Sequence, residues 1–416
     1  MYLRYGYKSY LANGNSSNLS DGIKLNAAEG NSTRYAMDAY FATGMYTYKE
    51  RYTITANYRA DGSSRYAKGH RWGHFGSVGA AWTFTNEDFI APAKDWLKDG
   101  KLRLSWGVLG NQVNSLYSYT NTYVIENLYD QIAFMEASKG NPNITWERSN
   151  IVDLGLEFSI GQYLDAEFDY FYKLTDNMIY PRAVAPSLGY SSVPTNDAKM
   201  VNSGVEFQLR AHLVDTRNVK LDLMFNGAHY KNYMTQMPID YTDANGVDHR
   251  MTMNGAMSVG HSMYDHYTIR YLGVDPTNGQ SLFEAYYDTR KGDFLAETED
   301  GGYNYIPSLH QWKLENPNQE KYLATTITSD PTEAALQYVG MSYLPDLSGG
   351  VGIDLECYGV TLSATCSYQI GGYGYDNTYL YLMQNNQGNS AQSQEFIQTM
   401  MMTQMMPDFS FDTSNK

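Results

Sequence analysis

At 416 residues, with 43% hydrophobic content, a formal charge of −15 and a pI near 4.9, the chain can form two or three ordinary domains or one large β structure. The acid excess argues against a nucleic-acid partner, which would need a basic face. A negative mean hydropathy and no apolar run near the ~18 residues of a spanning helix exclude a helical membrane bundle. A membrane β-barrel escapes that test, because only every second residue is apolar.

In chain order, the first residues, from Met1 to Tyr7, lack a basic segment, an apolar core and a small-residue cleavage site. The chain is therefore expected to begin inside a longer polypeptide. Residues 2–10 read as an aromatic strand, and a polar Asn/Ser/Gly loop follows to about Thr33. Residues 35–48 and 51–60 read as a hairpin, with Tyr52, Ile54, Ala56 and Tyr58 on one face, closed by the turn chemistry of Asp61-Gly62-Ser63-Ser64. Residues 72–85 make a strand with small positions (Gly76, Gly79, Ala80, Ala81), and 86–98 a short helical turn. Residues 101–108 alternate again, with Leu102, Leu104, Trp106 and Val108 on the apolar side.

Residues 150–230 carry the clearest signal. Val152, Leu154, Leu156 and Phe158 oppose Asp153, Gly155 and Glu157, and Leu164, Ala166, Phe168, Tyr170 and Tyr172 oppose Asp165, Glu167, Asp169 and Lys173. Val201, Val205, Phe207 and Leu209 then oppose Asn202, Glu206, Gln208, Arg210 and His212, and Val219, Leu221, Leu223 and Phe225 oppose Lys220, Asp222 and Asn226. A last hairpin pairs Val351, Ile353 and Leu355 with Val360, Leu362, Ala364, Cys366, Tyr368 and Ile370. Cys357 and Cys366 both fall on apolar sides and read as free thiols.

A soluble sandwich shows the same alternation. Segments of roughly 10 residues, with Tyr repeatedly at the ends of apolar faces, favour a barrel with a water-filled lumen. Tyr (39 residues, against 15 Phe and 6 Trp) suits membrane interfaces and also sugar-binding surfaces. The connections add a second argument: turns near 161, 215 and 358 are tight, while 110–148, 231–266 and 288–344 are long. The expected fold is all-β: a partial antiparallel transmembrane β-barrel of about a dozen strands, with long extracellular loops and short periplasmic turns. Residues 1–382 form the barrel segment. Residues 383–416, a Gln/Asn-rich and Met-rich tail with Met400, Met401, Met402, Met405 and Met406, receive no structure.

Five stretches carry a family resemblance. Arg59-Ala60-Asp61-Gly62-Ser63-Ser64-Arg65-Tyr66 with Arg71-Trp72-Gly73-His74-Phe75 resembles a conserved block of SusC/RagA-type TonB-dependent transporters. So do residues 101–107 with Gly110-Asn111-Gln112, then Asn141-Pro142-Asn143-Ile144-Thr145-Trp146-Glu147, Asn202-Ser203-Gly204-Val205-Glu206, and Gly273-Val274-Asp275-Pro276-Thr277-Asn278-Gly279. They occur in the family's order. The resemblance implies an outer-membrane barrel of a Gram-negative bacterium, with a plug and a TonB box that this chain does not show, and import of glycans or peptides energised through the TonB complex. It also implies a SusD-like surface lipoprotein as partner, beside the outer-membrane lipid. The alternatives are a soluble β-rich carbohydrate-binding module or glycan-active protein, and a passive porin or adhesin barrel.

No catalytic residue, cofactor or metal is expected. The chain lacks G-x-S-x-G, H-E-x-x-H, paired C-x-x-C and P-loop signatures, and Gly372-Tyr373-Gly374 lacks the third glycine of a dinucleotide fingerprint. His70 and His74 have metal spacing only on a helix, whereas this region reads as turn then strand. Asp240, Asp243, Asn245 and Asp248 fail calcium-loop spacing and read as a solvated loop. Asp165, Glu167 and Asp169 suggest a glycosidase pair, but three acids on one wet strand face read better as lining the lumen. For substrate contact the candidates are Tyr117, Tyr119, Tyr123 and Tyr129, which could stack on sugar rings or pack their loop against itself.

Overall fold

The computed structural model describes residues 2–4, 30–128, 131–184, 186–190, 192–242, 248–251, 253–297 and 303–376. Ten strands form one antiparallel sheet: β1 (Met37–Tyr48), β2 (Tyr52–Ser63), β3 (Trp72–Thr83), β4 (Leu97–Asn111) and β5 (Glu147–Ile160). It continues with β6 (Leu164–Ala183), β7 (Ser192–Asp215), β8 (Val219–Gln236), β9 (Leu347–Cys357) and β10 (Val360–Ile370). Every strand pairs with its neighbours in this sequence order, an up-and-down meander, and the outer edges of β1 and β10 pair with nothing among the described residues. The expected strand at the N-terminus is seen only as Tyr2–Arg4, paired with Gly30–Ser32. The Met-rich tail lies outside the described residues.

Period-two sequence becomes two unlike faces. Leu102, Leu104, Trp106, Val152, Leu154, Leu156, Phe168, Tyr170, Tyr172, Leu223 and Phe225 are 36–53% exposed, while the charged side chains between them on β4 to β6 are mostly half-buried. In water this arrangement would leave a wide apolar surface unburied. Facing lipid, with the polar face turned to a lumen, it is the stable one. No helix among the described residues is long and apolar enough to cross a membrane.

The two rims differ as expected. One carries the connections 49–51, 84–96, 161–163, 216–218 and 358–359. The tightest of them places Tyr358 (φ 50°) and Gly359 (φ 84°) in the left-handed region, the pattern of a type I′ hairpin turn. The 84–96 connection, expected as one helical turn from 86, contains two 3-10 turns, Phe84–Asn86 and Asp88–Ala93. It is tied down by Glu87, whose carboxylate accepts from Tyr52 Oη (2.5 Å), Arg51 Nη1 (2.9 Å) and Trp82 Nε1 (3.2 Å). The Tyr52 hydroxyl, aided by Trp82 and Arg51, holds the Glu87 carboxyl below the usual carboxylate range.

The opposite rim carries 64–71, 112–146, 184–191 and 237–346. Two expectations change here. The long loops read at 231–266 and 288–344 are one insertion: residues 231–236 continue β8, and the described residues from 237 to 346 stand outside the ten-stranded sheet. Strands within 265–288 pair inside the insertion, where Tyr271–Val274, Ser281–Asp288 and Leu323–Thr328 make a separate three-stranded sheet. The 112–146 connection, read as nearly strandless, contains the hairpin Thr122–Leu128 with Gln131–Ser138.

Candidate functional site

On the polar face, the register of β4, β5 and β6 sets Arg103 opposite Gly155 and Gly155 opposite Asp169. Arg103 reaches across that glycine. Its Nη2 lies 2.5 Å from Glu167 Oε1 and 3.0 Å from Asp169 Oδ1, and its Nε 2.6 Å from Glu157 Oε1. A Cβ on Gly155 would sit 2.4 Å from Asp169 Oδ1 and 2.9 Å from Arg103 Nη2, so the bridge requires a residue without a side chain there. One guanidinium thus serves three carboxylates on two further strands, with Lys101 3.5 Å from Glu157 as a second cation. Toward the short-turn rim a chain of contacts links four strands: Ser159 Oγ to Asp165 (2.7 Å), Asp165 to His212 Nε2 (3.0 Å), and His212 Nδ1 to Asp222 (2.8 Å). The acids that suggest a glycosidase pair are therefore committed to cross-strand ion pairing. The sequence gives Arg103 the right parity on β4, but not the reach that Gly155 allows.

At the long-loop end, residues in or beside three of the five family-like stretches meet. Tyr66, Phe75, Val113, Ile144 and Trp146 form one buried cluster, drawn from three stretches far apart in sequence, with Val108, Tyr119 and Ile179 packed against it. Phe75 packs edge-on against Trp146 at 5.5 Å and Tyr66 lies 5.2 Å from the same indole. Polar groups close the cluster: the Val113 N–H donates to Tyr66 Oη (2.9 Å), Arg65 Nη1 to the Val113 carbonyl (2.7 Å) and Trp146 Nε1 to the Arg71 carbonyl (3.0 Å). Burial pushes the Tyr66 phenol up to about 12. Phe75 fits because Gly110 is bare: a Cβ there would lie 1.9 Å from Phe75 Cζ. Asn202 belongs to a second anchor, accepting from Asn232 Nδ2 (2.7 Å), and Asp275 caps its turn by accepting from the Thr277 N–H (2.8 Å). A second buried cluster, Tyr180, Ala198, Met234 and Met237, is surrounded by further methionines. Several of the recognisable motifs are therefore loop anchors, whereas residues 101–107 belong to the wall.

The four tyrosine candidates separate. Tyr117 and Tyr123 are exposed, 39% and 59%, and Tyr123 stands across the loop hairpin from Glu136. Tyr119 packs on the aromatic cluster, and Tyr129 lies outside the described residues. His74 turns its Nδ1 to Tyr58 Oη at 2.8 Å. Among the described residues no group of three or more His, Cys, Asp or Glu is placed to hold a metal ion. Asp243 and Asn245 of the acidic loop lie outside them.

The insertion has its own small core. The strands Asp265–Ile269 and Leu336–Ser342 pair, and the helix α1 (Leu309–Glu315) is capped by Ser308 Oγ, which accepts from the Gln311 N–H (3.1 Å). His261 stacks face to face on Tyr338 with ring centres 3.6 Å apart, and His310 meets both rings edge-on. His310 Nε2 lies 2.9 Å from Ser258 Oγ. Burial, with His261 and Lys313 adding to it, lowers the His310 pKa below the ordinary imidazole value. The Tyr338 phenol is pushed up to about 12, chiefly by burial.

An apolar outer face, an ion-paired inner face, short turns on one rim and long insertions on the other define the wall of a transmembrane β-barrel. The comparisons agree: residues 2–314 match the family model "TonB dependent receptor-like, beta-barrel", and the chain belongs to that family. It is 28% identical over 300 residues to the TonB-dependent receptor SusC of Bacteroides thetaiotaomicron, covering 68% of this chain and 29% of SusC. It is 25% identical over 284 residues to the TonB-dependent receptor P39 of Formosa agariphila, covering 68% of this chain and 26% of P39. Among solved structures, the RagAB peptide importer in its closed-closed state superposes with a TM-score of 0.66 at 22% identity, covering 89% of this chain and 37% of that chain. The chain thus spans under a third of the curated relatives it matches.

Proposed function

We propose that this chain forms part of the barrel wall and the extracellular face of an outer-membrane importer for an oligosaccharide or a peptide, energised through the TonB complex. The observation that carries this reading is the reversal of the two faces: aliphatic and aromatic side chains point outward from β4 to β8, and the Arg103 ion-pair network points inward. A wall of that kind needs lipid outside and a polar filling inside. Long connections confined to one rim supply the surface on which a ligand or a surface lipoprotein partner would be met. RagAB, whose fold the wall shares, is a peptide importer, and SusC is a TonB-dependent receptor; the oligosaccharide class rests on the SusC/RagA-type sequence resemblance. The reading places the protein in the outer membrane of a Gram-negative bacterium and gives it no catalytic step.

The test is deletion of the gene that encodes the chain, with uptake of labelled oligosaccharides and peptides measured with and without an uncoupler. Loss of uptake of one class, and equal loss with uncoupler in the parent strain, is the expected result. Unchanged uptake of every compound sinks the importer reading. Uptake that depends on the gene but ignores the uncoupler selects a passive porin instead. A soluble carbohydrate-binding module would require the outward apolar face to be covered, and detergent-free folding of the chain would be its signature.

A further inference from the structure

The insertion contains a cleft of about 200 Å3 lined by α1 and by residues of 288–291 and 303–308. Its floor is rigid. Asn304, buried, spends its amide donors on the carbonyls of Asp288, Gly292 and Asp293, and the buried Asp288 carboxylate is clamped by Arg290. Trp312 is buried behind one wall, and Tyr303 stands at the mouth, 55% exposed, its ring stacked on Tyr305 at 6.2 Å and 25°. On the facing wall Gln311 and Glu315, one helical turn apart, are joined by a 2.9 Å hydrogen bond from Gln311 Nε2. That bond leaves the amide and carboxylate side by side at the surface with further donor and acceptor capacity. Lys291 completes the rim.

Resting on the import reading above, we propose that this cleft binds one hexose unit of an oligosaccharide. An exposed aromatic face beside a joined amide and carboxylate offers what a sugar ring needs: a flat apolar surface for its C–H face and paired donors and acceptors for neighbouring hydroxyls. Acid and base both line the site, so neither an anion nor a cation is favoured over a neutral ligand. The volume lies below the roughly 300–1,000 Å3 of drug-sized sites, which fits a single ring with the rest of the chain outside. The floor is already held in place, so binding needs little ordering of the protein.

The experiment uses the full chain in detergent and measures binding of short gluco-, galacto-, manno- and xylo-oligosaccharides, with tri-alanine as the peptide control. The chain is compared with Tyr303→Ala and with Gln311→Ala/Glu315→Ala; a circular-dichroism melt confirms that each variant is folded. At least one oligosaccharide is expected to bind, about tenfold more weakly to either variant, and tri-alanine not to compete. Binding by none of the oligosaccharides, binding unchanged in both folded variants, or displacement by tri-alanine overturns the cleft. Each of those outcomes leaves the importer reading to its own gene-deletion test, which reads uptake and not this site.

Discussion

The wall and the insertion are built from one chain by opposite rules. In the wall, from β1 to β8 and again in β9 and β10, large apolar side chains point out and charges point in; Leu154 is 45% exposed while Asp169 is held by Arg103. In the insertion Ile306, Leu309 and Trp312 are buried while Lys313 and Glu315 of α1 are outside, as in any water-soluble domain. The boundary is abrupt, at the ends of β8 and β9. What differs is the solvent each region is built for, and the same residue type therefore carries opposite meaning in the two.

The sharpest way to break this comparison is to place one charge in each region. Leu154→Arg, on the outward face of β5, is expected to cost about 2–4 kcal/mol in folding into lipid vesicles, whereas Leu314→Arg, exposed on α1, should stay within about 0.5 kcal/mol. Equal costs from urea titrations in vesicles would refute the assignment of faces. Next in size is Gly110→Ala, which drives a methyl into Phe75 and should cost about 1–3 kcal/mol. The double variant Gly110→Ala/Phe75→Leu should recover part of that loss, and no recovery would mean that the ring is not what fills the space.

Arg103→Ala leaves Glu157, Glu167 and Asp169 facing each other. Solvent reaches all four groups, so the expected cost is about 1–2 kcal/mol rather than the several of a fully buried pair. A vesicle-folding midpoint unchanged in low salt would show that the network contributes nothing. The smallest effect is the dependence on pH. The pKa of His310 is lowered in the fold, chiefly by burial, so the unfolded insertion binds the proton more readily. Stability from this group is full above the ordinary imidazole value of about 6.5 and falls as pH drops through it toward the lowered one. Protection factors across 258–342, corrected for the intrinsic exchange rate at each pH, should therefore fall between neutral and mildly acidic pH, and His310→Gln should abolish the change. A loss of protection that persists in that variant would assign it to another group.

The wall was legible because a two-residue period states both the element and its face. Val152 to Phe158 and Leu164 to Tyr172 fall on the outward side as read, and the tight turns at 161 and 358 fall where glycine permits them. The insertion was not legible, since pairing between Asp265–Ile269 and Leu336–Ser342 crosses the whole segment and nothing local names the partner. Tyrosine abundance pointed to a ligand surface without fixing orientation, so Tyr119 turned out to pack a cluster while Tyr303, unremarked in the sequence, stands at a cleft. The Ser308 cap ahead of 309–315 and the Gln311/Glu315 spacing were the signals that could have marked it.

β7 runs for 24 residues and β6 for 20, far more than the roughly 9–11 that a tilted strand needs to cross a bilayer. At ~3.3 Å per residue, and with the tilt usual for barrels, the surplus amounts to about 25–35 Å of strand beyond the hydrocarbon core of the bilayer. The Tyr180 and Met234 cluster lies in that raised part, where β6, β7 and β8 are still hydrogen-bonded to one another. The sheet is then a cantilever: stiff along its strands, free at its tip, and carrying the insertion as its load. A force applied to the insertion would be borne as bending of three paired strands and would reach the membrane-embedded ladder only at their roots.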